Sequence, residues 1–298
     1  MNLIQELNEL FRKDIQPEKG VNFSTFRIGG ELSCLLEVES TLLLKKILSV
    51  INSFKAKYRI LGRGSNILFP DEGISEPIIK LGKKFNSIVK ISNDEYAIGG
   101  ATSLIELSAK TSRLGLAGLE FAGGIPASLG GAVIMNAGAY GSQLADIISW
   151  VDVIFQDGHE ERIYENQLDF SYRHCNIPVG GIVVSVGIKL VESDPINTET
   201  LRLNLLEQRR DKQPLEYPSA GSIFKNPDFD RSAGWLLDQV GMKGVTIGGA
   251  MFAQKHANWI VNIEGKAKAK DVKELIDLAQ KKVLSAYNIK LEPELKIW

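Results

Sequence analysis

The segment LEFAGGIPASLGGAVIMNAGAYG, residues 119–141, holds six glycines and almost no charge. So much bare backbone is too costly in conformational entropy for a long helix, and the segment lacks the alternation of a strand. It commits this part of the chain to turns and close backbone approaches. Two well-known ways of using such glycines are absent: no G-x-G-x-x-G and no G-x-x-x-x-G-K-[ST] string occurs in the 298 residues. GRGSN at Gly62 begins like the first but has Ile67 where the third glycine belongs.

What remains are two loops rich in glycine and side-chain donors, LGRGSNIL (61–68) and AGGIPASLGG (122–131). Glycines let consecutive N–H groups converge on one anion, and Ser65, Asn66 and Ser128 could add donors. Two such loops could grip a pyrophosphate from both sides. The alternative is that the glycines serve only tight turns and close packing.

Around these loops the chain alternates between helical and extended patterns. Leu3, Leu7, Leu10 and Phe11 share one face of an amphipathic N-terminal helix, and charges interrupt every possible signal-peptide core. CLLEVES, TLLLKKILSVINSF and YRILG read as strand, helix and strand. Shorter strands follow from about residue 76, then a helix near 103–114. WVDVIFQDGHEERIY predicts a hairpin about Asp157-Gly158, and GIVVSVGIKLVE a buried strand. SDPINTET reads as a polar boundary before a charged helix ending near Lys212, and two more helices are expected over 231–240 and 269–287.

Composition excludes several classes. A net charge of −1 gives no nucleic-acid footprint, and Lys266, Lys268, Lys270 and Lys273 read as a solvated face. Two cysteines outside any C-x-x-C pair fit a reducing compartment, and the three histidines lack metal-ligand spacing, so no metal is expected. No apolar run approaches a membrane span of roughly 18 residues, and the expected location is the cytoplasm.

Three further clusters could carry chemistry. In DKQPLEYPSAGSIFKNP (211–227) prolines hold Ser222 outside regular structure, with Lys212, Lys225 and Asn226 able to meet an anion. A hydroxyl is a poor acid, so Ser222 could act as a proton donor only toward a strongly basic carbanion; otherwise it is a serine in a turn. FSYRHC places Tyr172 and Arg173 in a short polar segment, where Arg173 is either a carboxylate fork or a surface ion pair. The tail KLEPELKIW carries Glu292 and Glu294 with nothing local to choose between them.

Taken in order, NFSTFRIGGELSCLLEV, ILGRGSNIL, the 119–141 run, FSYRHC, EYPSAGSIFKNP, GMKGVTIGGAMFAQKHANWIVN and LEPELKIW resemble the MurB family, the UDP-N-acetylenolpyruvoylglucosamine reductases, from about residue 20 onward. The resemblance implies an α+β protein: a two-subdomain FAD-binding fold of the PCMH/vanillyl-alcohol-oxidase type (1–83 and 84–194) and a C-terminal α+β substrate-binding domain (195–298). It implies non-covalent FAD, held through Arg63, Gly64, Ser65, Asn66, Gly123, Gly124, Ile125, Pro126, Ser128, Gly131, Asn136 and Gly138. NADPH would reduce the flavin and leave, and UDP-N-acetylglucosamine enolpyruvate would then be reduced in peptidoglycan precursor synthesis. Arg173 matches the enolate-stabilising arginine, Ser222 the proton donor and Glu294 the family glutamate; Tyr172, Lys212, Asn226 and His256 match substrate-side positions. Ala127 stands where many members have glycine, and the YPSAGSIFKNP form resembles the subclass without an extra tyrosine-bearing loop. An oxidase of the same fold would usually tether its flavin through a histidine or cysteine, and neither glycine loop contains one. A non-catalytic relative would have lost Arg173, Ser222 or Glu294, and all three are present.

Overall fold

Asn2 and Gln5 start the first helix, α1 (Leu3–Phe11), by reciprocal capping: each side chain accepts the other residue's backbone N–H at 2.9 Å. In α2 (Thr41–Ser53) Ser40 caps the Leu43 N–H, and Leu44, Ile47, Leu48 and Ile51 recur at helical spacing and are buried. The computed structural model that contains them describes residues 2–227 and 230–298. Two compact units divide the chain: Met1–Gln16, Cys34–Arg63 and Glu76–Gln208 form one, and Pro17–Ser33, Gly64–Ser75 and Arg209–Trp298 the other.

The first unit has two apolar cores. In one, α1 and α2 pack with a parallel three-stranded sheet in which Ile78–Leu81 lies between Leu35–Val38 and Arg59–Ile60. Parallel strands need a crossover, and α2 supplies the one between the two outer strands, Leu35–Val38 and Arg59–Ile60. The second core lies on an antiparallel five-stranded sheet, ordered Glu160–Tyr164, Ile148–Ile154, Ile182–Lys189, Glu95–Gly99, Ile88–Lys90. Ile182–Lys189 is its central strand, which accounts for the apolar run in the sequence. The expected hairpin turns at Gly158, φ 82°. Over this sheet pack α3 (Leu104–Arg113), the 3₁₀ turn Glu120–Gly124 and the short α4 (Leu129–Ile134).

The segment expected as a polar boundary is instead helical. Pro195 is the first residue of α5 (Pro195–Lys212), where its fixed φ suits a helix start, and Thr198 turns inward to donate to the Ser112 carbonyl at 2.6 Å.

In the second unit α6 (Ala233–Gln239) and α7 (Ala269–Tyr287) share a core with an antiparallel sheet ordered Ser219–Ser222, Trp259–Asn262, Ala250–Phe252, Thr246–Ile247. Phe26, Ile28 and Leu68 enter the same core from the N-terminal half of the sequence. The first N–H groups of α7, at Ala269 and Lys270, are satisfied by Asp71 at 2.8 and 3.1 Å. The tail forms only the strand Lys296–Ile297, paired in parallel with Ile67–Leu68. Among the described residues no helix is long and apolar enough to cross a membrane.

Candidate active site

In the first unit the glycines of the two loops do different jobs. A Cβ on Gly123 would lie 3.1 Å from Arg202 Cγ, and one on Gly130 would lie 3.0 Å from the Val183 carbonyl oxygen, so both glycines permit close packing. Gly62 and Gly131 face each other across Ser128. A Cβ on Gly62 would come within 2.5 Å of Ser128 Oγ, and one on Gly131 would meet nothing but that oxygen, at 3.2 Å. Ser128 stands at the start of α4 without capping it, and its hydroxyl makes no hydrogen bond among the described residues. The strap behind is fixed by main-chain bonds: Leu104 N–H to Ala127, Leu129 N–H to Thr102 and Gly130 N–H to Gly100, all at 2.8–3.0 Å. The result is a stretch of glycine backbone held from behind and carrying one available hydroxyl, that of Ser128, which fits a phosphate group of a bound FAD. Ile125 and Pro126, half-buried, lie on the same loop, as does Gly124; Arg63, at the end of this unit's other loop, is exposed.

Downstream the glycine run closes into a hairpin. Gly138–Ala139 pairs with Ser142–Gln143, and Tyr140 and Gly141 both have positive φ, 56° and 81°, as a type I′ turn requires. Asn136, fully buried at φ 38°, ties this hairpin to FSYRHC. Its amide donates to Gln143 Oε1 and the Ser171 carbonyl, both at 3.0 Å, and its oxygen accepts the Ala145 N–H at 3.0 Å. Its side chain is therefore engaged with protein. Ser171 and His174 bond reciprocally at 3.1 Å across the turn that holds Arg173 at φ 57°. From there Arg173 Nη2 donates to the Gly138 carbonyl at 3.2 Å, while its guanidinium lies 4.9 Å from the ring centre of the exposed Tyr172.

In the second unit Gly64, at φ 64°, lies so close to the Phe23 carbonyl that a Cβ would overlap it, and Thr25 N–H bonds the Gly64 carbonyl at 3.2 Å. The GRGSN loop thus leans on NFSTFR, a segment to which sequence reasoning gave no role. Nearby, Val21, Asn22, Ser24, Arg27 and Gly265 line a cavity of about 520 Å³. Its only local sequence signal is a polar cluster inside an apolar stretch. Ser65 and Asn66 are half-buried, and Asn66 Nδ2 donates to the Glu294 carbonyl at 3.1 Å.

The same bond network separates the two tail glutamates. Glu292 is exposed and pairs with Lys225 at 2.6 Å, and that ammonium holds its carboxyl below the usual range. Glu294 is half-buried, and its N–H donates to the Ile223 carbonyl at 2.8 Å, beside Ser222. Ser222 and Glu294 therefore come from adjoining backbones. Ser222 ends the strand Ser219–Ser222 opposite Trp259, after a glycine at φ 78°.

The expected substrate-side residues in this unit spread more widely. Asn226 is exposed and its Oδ1 accepts the Ala233 N–H at 3.0 Å; Lys212 is exposed at the end of α5. His256 has its pKa lowered by burial. The Asn258 N–H donates to its Nδ1 at 3.2 Å, so the neutral ring carries its proton on Nε2.

Comparison with known proteins gives one consistent answer. Residues 32–164 match the model of an FAD binding domain, and residues 213–298 the model "UDP-N-acetylenolpyruvoylglucosamine reductase, C-terminal domain". The chain is 39% identical over 282 residues to the UDP-N-acetylenolpyruvoylglucosamine reductase of Anoxybacillus flavithermus, covering 94% of this chain and 92% of the relative. It is 38% identical to the Bacillus subtilis enzyme of that name, covering 99% and 97%. Among solved structures, UDP-N-acetylenolpyruvylglucosamine reductase (MurB) from Thermus caldophilus superimposes with a TM-score of 0.82 at 37% identity, covering 95% of this chain and 98% of that one.

Proposed function

The chain belongs to the UDP-N-acetylenolpyruvoylglucosamine reductase family of flavoenzymes, and from that premise we propose that it reduces UDP-N-acetylglucosamine enolpyruvate to UDP-N-acetylmuramate with NADPH as electron source, in the cytoplasm. On this reading residues 1–83 and 84–194 hold the cofactor and 195–298 receive the sugar nucleotide. The chemistry that FAD supplies when bound is hydride transfer, from NADPH and then to the CH2 carbon of the enolpyruvyl group.

The remaining work falls to side chains. Once the CH2 carbon has become a methyl group, the neighbouring carbon carries an electron pair delocalised into the carboxylate. Arg173, permanently cationic, offsets that charge. Ser222 gives its Oγ proton to the carbon, and the resulting alkoxide recovers a proton from solvent. Glu294 acts beside Ser222, and Tyr172, Lys212, Asn226 and the Nε2–H of His256 meet the substrate. Gly62, Ser128 and Gly131 cradle the cofactor's phosphates.

The observation that carries the reading is the bond from Glu294 N–H to the Ile223 carbonyl, which supports Ser222 and Glu294 acting as one pair. The test separates the half-reactions by rapid mixing. Ser222→Ala should bleach with NADPH at the parent rate and recover its colour with the enolpyruvyl sugar about 10²–10⁴ times more slowly, the usual worth of a positioned proton donor. Equal damage to both halves would remove Ser222 from that role. The two substrates should also compete for free enzyme in ping-pong fashion.

A further inference from the structure

Helix α5 is polar along most of its length, yet within the first unit it buries Thr198 and Arg202, with Leu205 partly buried. The spacing of four and three puts these on one face. That face lies along the glycine run and the end of α3: Thr198 Oγ1 donates to the Ser112 carbonyl at 2.6 Å, and Leu205 offers its carbonyl to the Tyr140 hydroxyl at 3.0 Å.

Arg202 sits between them, only 6% exposed. Its guanidinium does not point at the glycine run; Nε and Nη2 fork onto Glu199 at 2.7 and 2.6 Å, and Glu199 also faces Arg113 at 3.6 Å. The stem is what meets the run. Cγ and Cδ lie 3.1 and 3.5 Å from where a Cβ on Gly123 would be, with Ser108 Oγ at 3.4 Å on the other side. Burying an arginine needs a partner, and a hydrophobic residue of similar volume generally serves stability as well or better. A straight, unbranched stem, however, lies flat on bare backbone where a branched aliphatic side chain would not.

We propose that Arg202, braced by Glu199, is a positioning residue for the flavin site: its stem closes the space behind Gly123 and holds the run Gly123–Ile125 in the conformation that receives the cofactor. This rests on the assignment of that loop to FAD. The glycine is bare there so that α5 can back the loop, and the charge is present to anchor the stem. Removing the stem should loosen the loop and weaken FAD without touching any group that contacts substrate.

The experiment titrates apoprotein with FAD, following quenching of flavin fluorescence, and measures unfolding of each apoprotein in parallel. Arg202→Ala should weaken FAD at least tenfold. Arg202→Met, which keeps an unbranched stem without the charge, should stay within about threefold of the parent. Gly123→Ala should weaken FAD by itself because its Cβ crowds the stem, and Arg202→Ala/Gly123→Ala should be no worse than Arg202→Ala alone. Losses that multiply in the double variant would overturn the inference. So would Arg202→Ala within twofold of the parent, or Arg202→Met as weak as Arg202→Ala. If Arg202→Ala fails to fold, Arg202→Met and Gly123→Ala decide: a fully tight Gly123→Ala, or an Arg202→Met that folds but loses FAD, refutes it. A parent apoprotein that takes up no FAD would instead refute the loop's assignment to the cofactor.

Discussion

Asn136→Ala isolates the bolt between the glycine run and the arginine turn. Asn136 is itself fully buried, and the substitution takes a partner from the carbonyl of the exposed Ser171 and from the Ala145 N–H and Gln143 Oε1 on half-buried residues. A typical intramolecular hydrogen bond contributes about 0.5–1.5 kcal/mol net, so the three lost together give about 1.5–4.5 kcal/mol. Alanine also tolerates φ 38° less well than asparagine, which adds up to about 1 kcal/mol. The expected loss, about 1.5–5.5 kcal/mol, is a sizeable share of the 5–15 kcal/mol typical of a folded protein. Asn136→Asp keeps the acceptor for Ala145 but sets a carboxylate against the Ser171 carbonyl, so it should be no milder. Guanidinium unfolding of the apoprotein, followed by fluorescence and far-UV circular dichroism, measures both. Because the bond to Ser171 steadies the turn that carries Arg173, whatever Asn136→Ala protein folds in the cold should be slower in the sugar half-reaction than in the NADPH half-reaction. A stability loss below about 1 kcal/mol would show that the three bonds do not hold this region together.

Gly62→Ala should weaken FAD binding at least tenfold, because the new Cβ would sit 2.5 Å from Ser128 Oγ inside the cradle; adding Ser128→Gly should restore part of the affinity, as titration of apoprotein would show. Burial pushes the Cys34 thiol up to about 11 and the Cys175 thiol up to about 12, so at pH 8 both stay protonated in the folded protein. A thiol reagent such as Ellman's should find neither cysteine in native protein and both after denaturation; rapid native labelling of either would contradict the packing around it.

The sequence disclosed most where local pattern and final structure obey the same rule. The spacing of Leu44, Ile47, Leu48 and Ile51 defines α2, and Asp157-Gly158 marks its hairpin. The packing of Phe26, Ile28 and Leu68 with α6 and α7 was not legible, because contacts across some 200 residues leave no periodic trace. Pro195 looked like a linker residue because proline interrupts helices, yet the first turn of a helix has N–H groups to spare. In the site, glycine-rich text announced bare backbone but not its use. Gly123 and Gly130 back against Arg202 and Val183, whereas Gly62 and Gly131 open onto Ser128. Glu292 and Glu294 are equivalent by alternation and were separated only by what each meets: Lys225 for one, the Ile223 carbonyl for the other. Arg202 gave no signal, since one arginine in a charged helix looks like any other.

Backbone strain offers an independent way to ask whether Arg173 is placed for function. Arg173 and Lys55 are both cationic and both left-handed, at φ 57° and 51°. Lys55 is exposed two residues past the end of α2, a position where glycine is the favoured residue. Lys55→Gly should therefore leave stability unchanged or raise it by up to about 1 kcal/mol, the left-handed penalty less the added freedom of the unfolded chain. Arg173→Gly relieves the same strain but removes the guanidinium's bond to the Gly138 carbonyl, so its effect on stability should be smaller or of opposite sign. The decisive contrast lies in activity. Lys55→Gly should leave both half-reactions intact, while Arg173→Gly should abolish sugar reduction and spare reduction by NADPH. Strain at functional residues persists when a differently shaped residue could not do the same work. If Arg173→Gly reduced the sugar at the parent rate, the conformation at Arg173 would be no more than a turn that happens to hold an arginine, and the charge opposite the enolate would have to come from elsewhere.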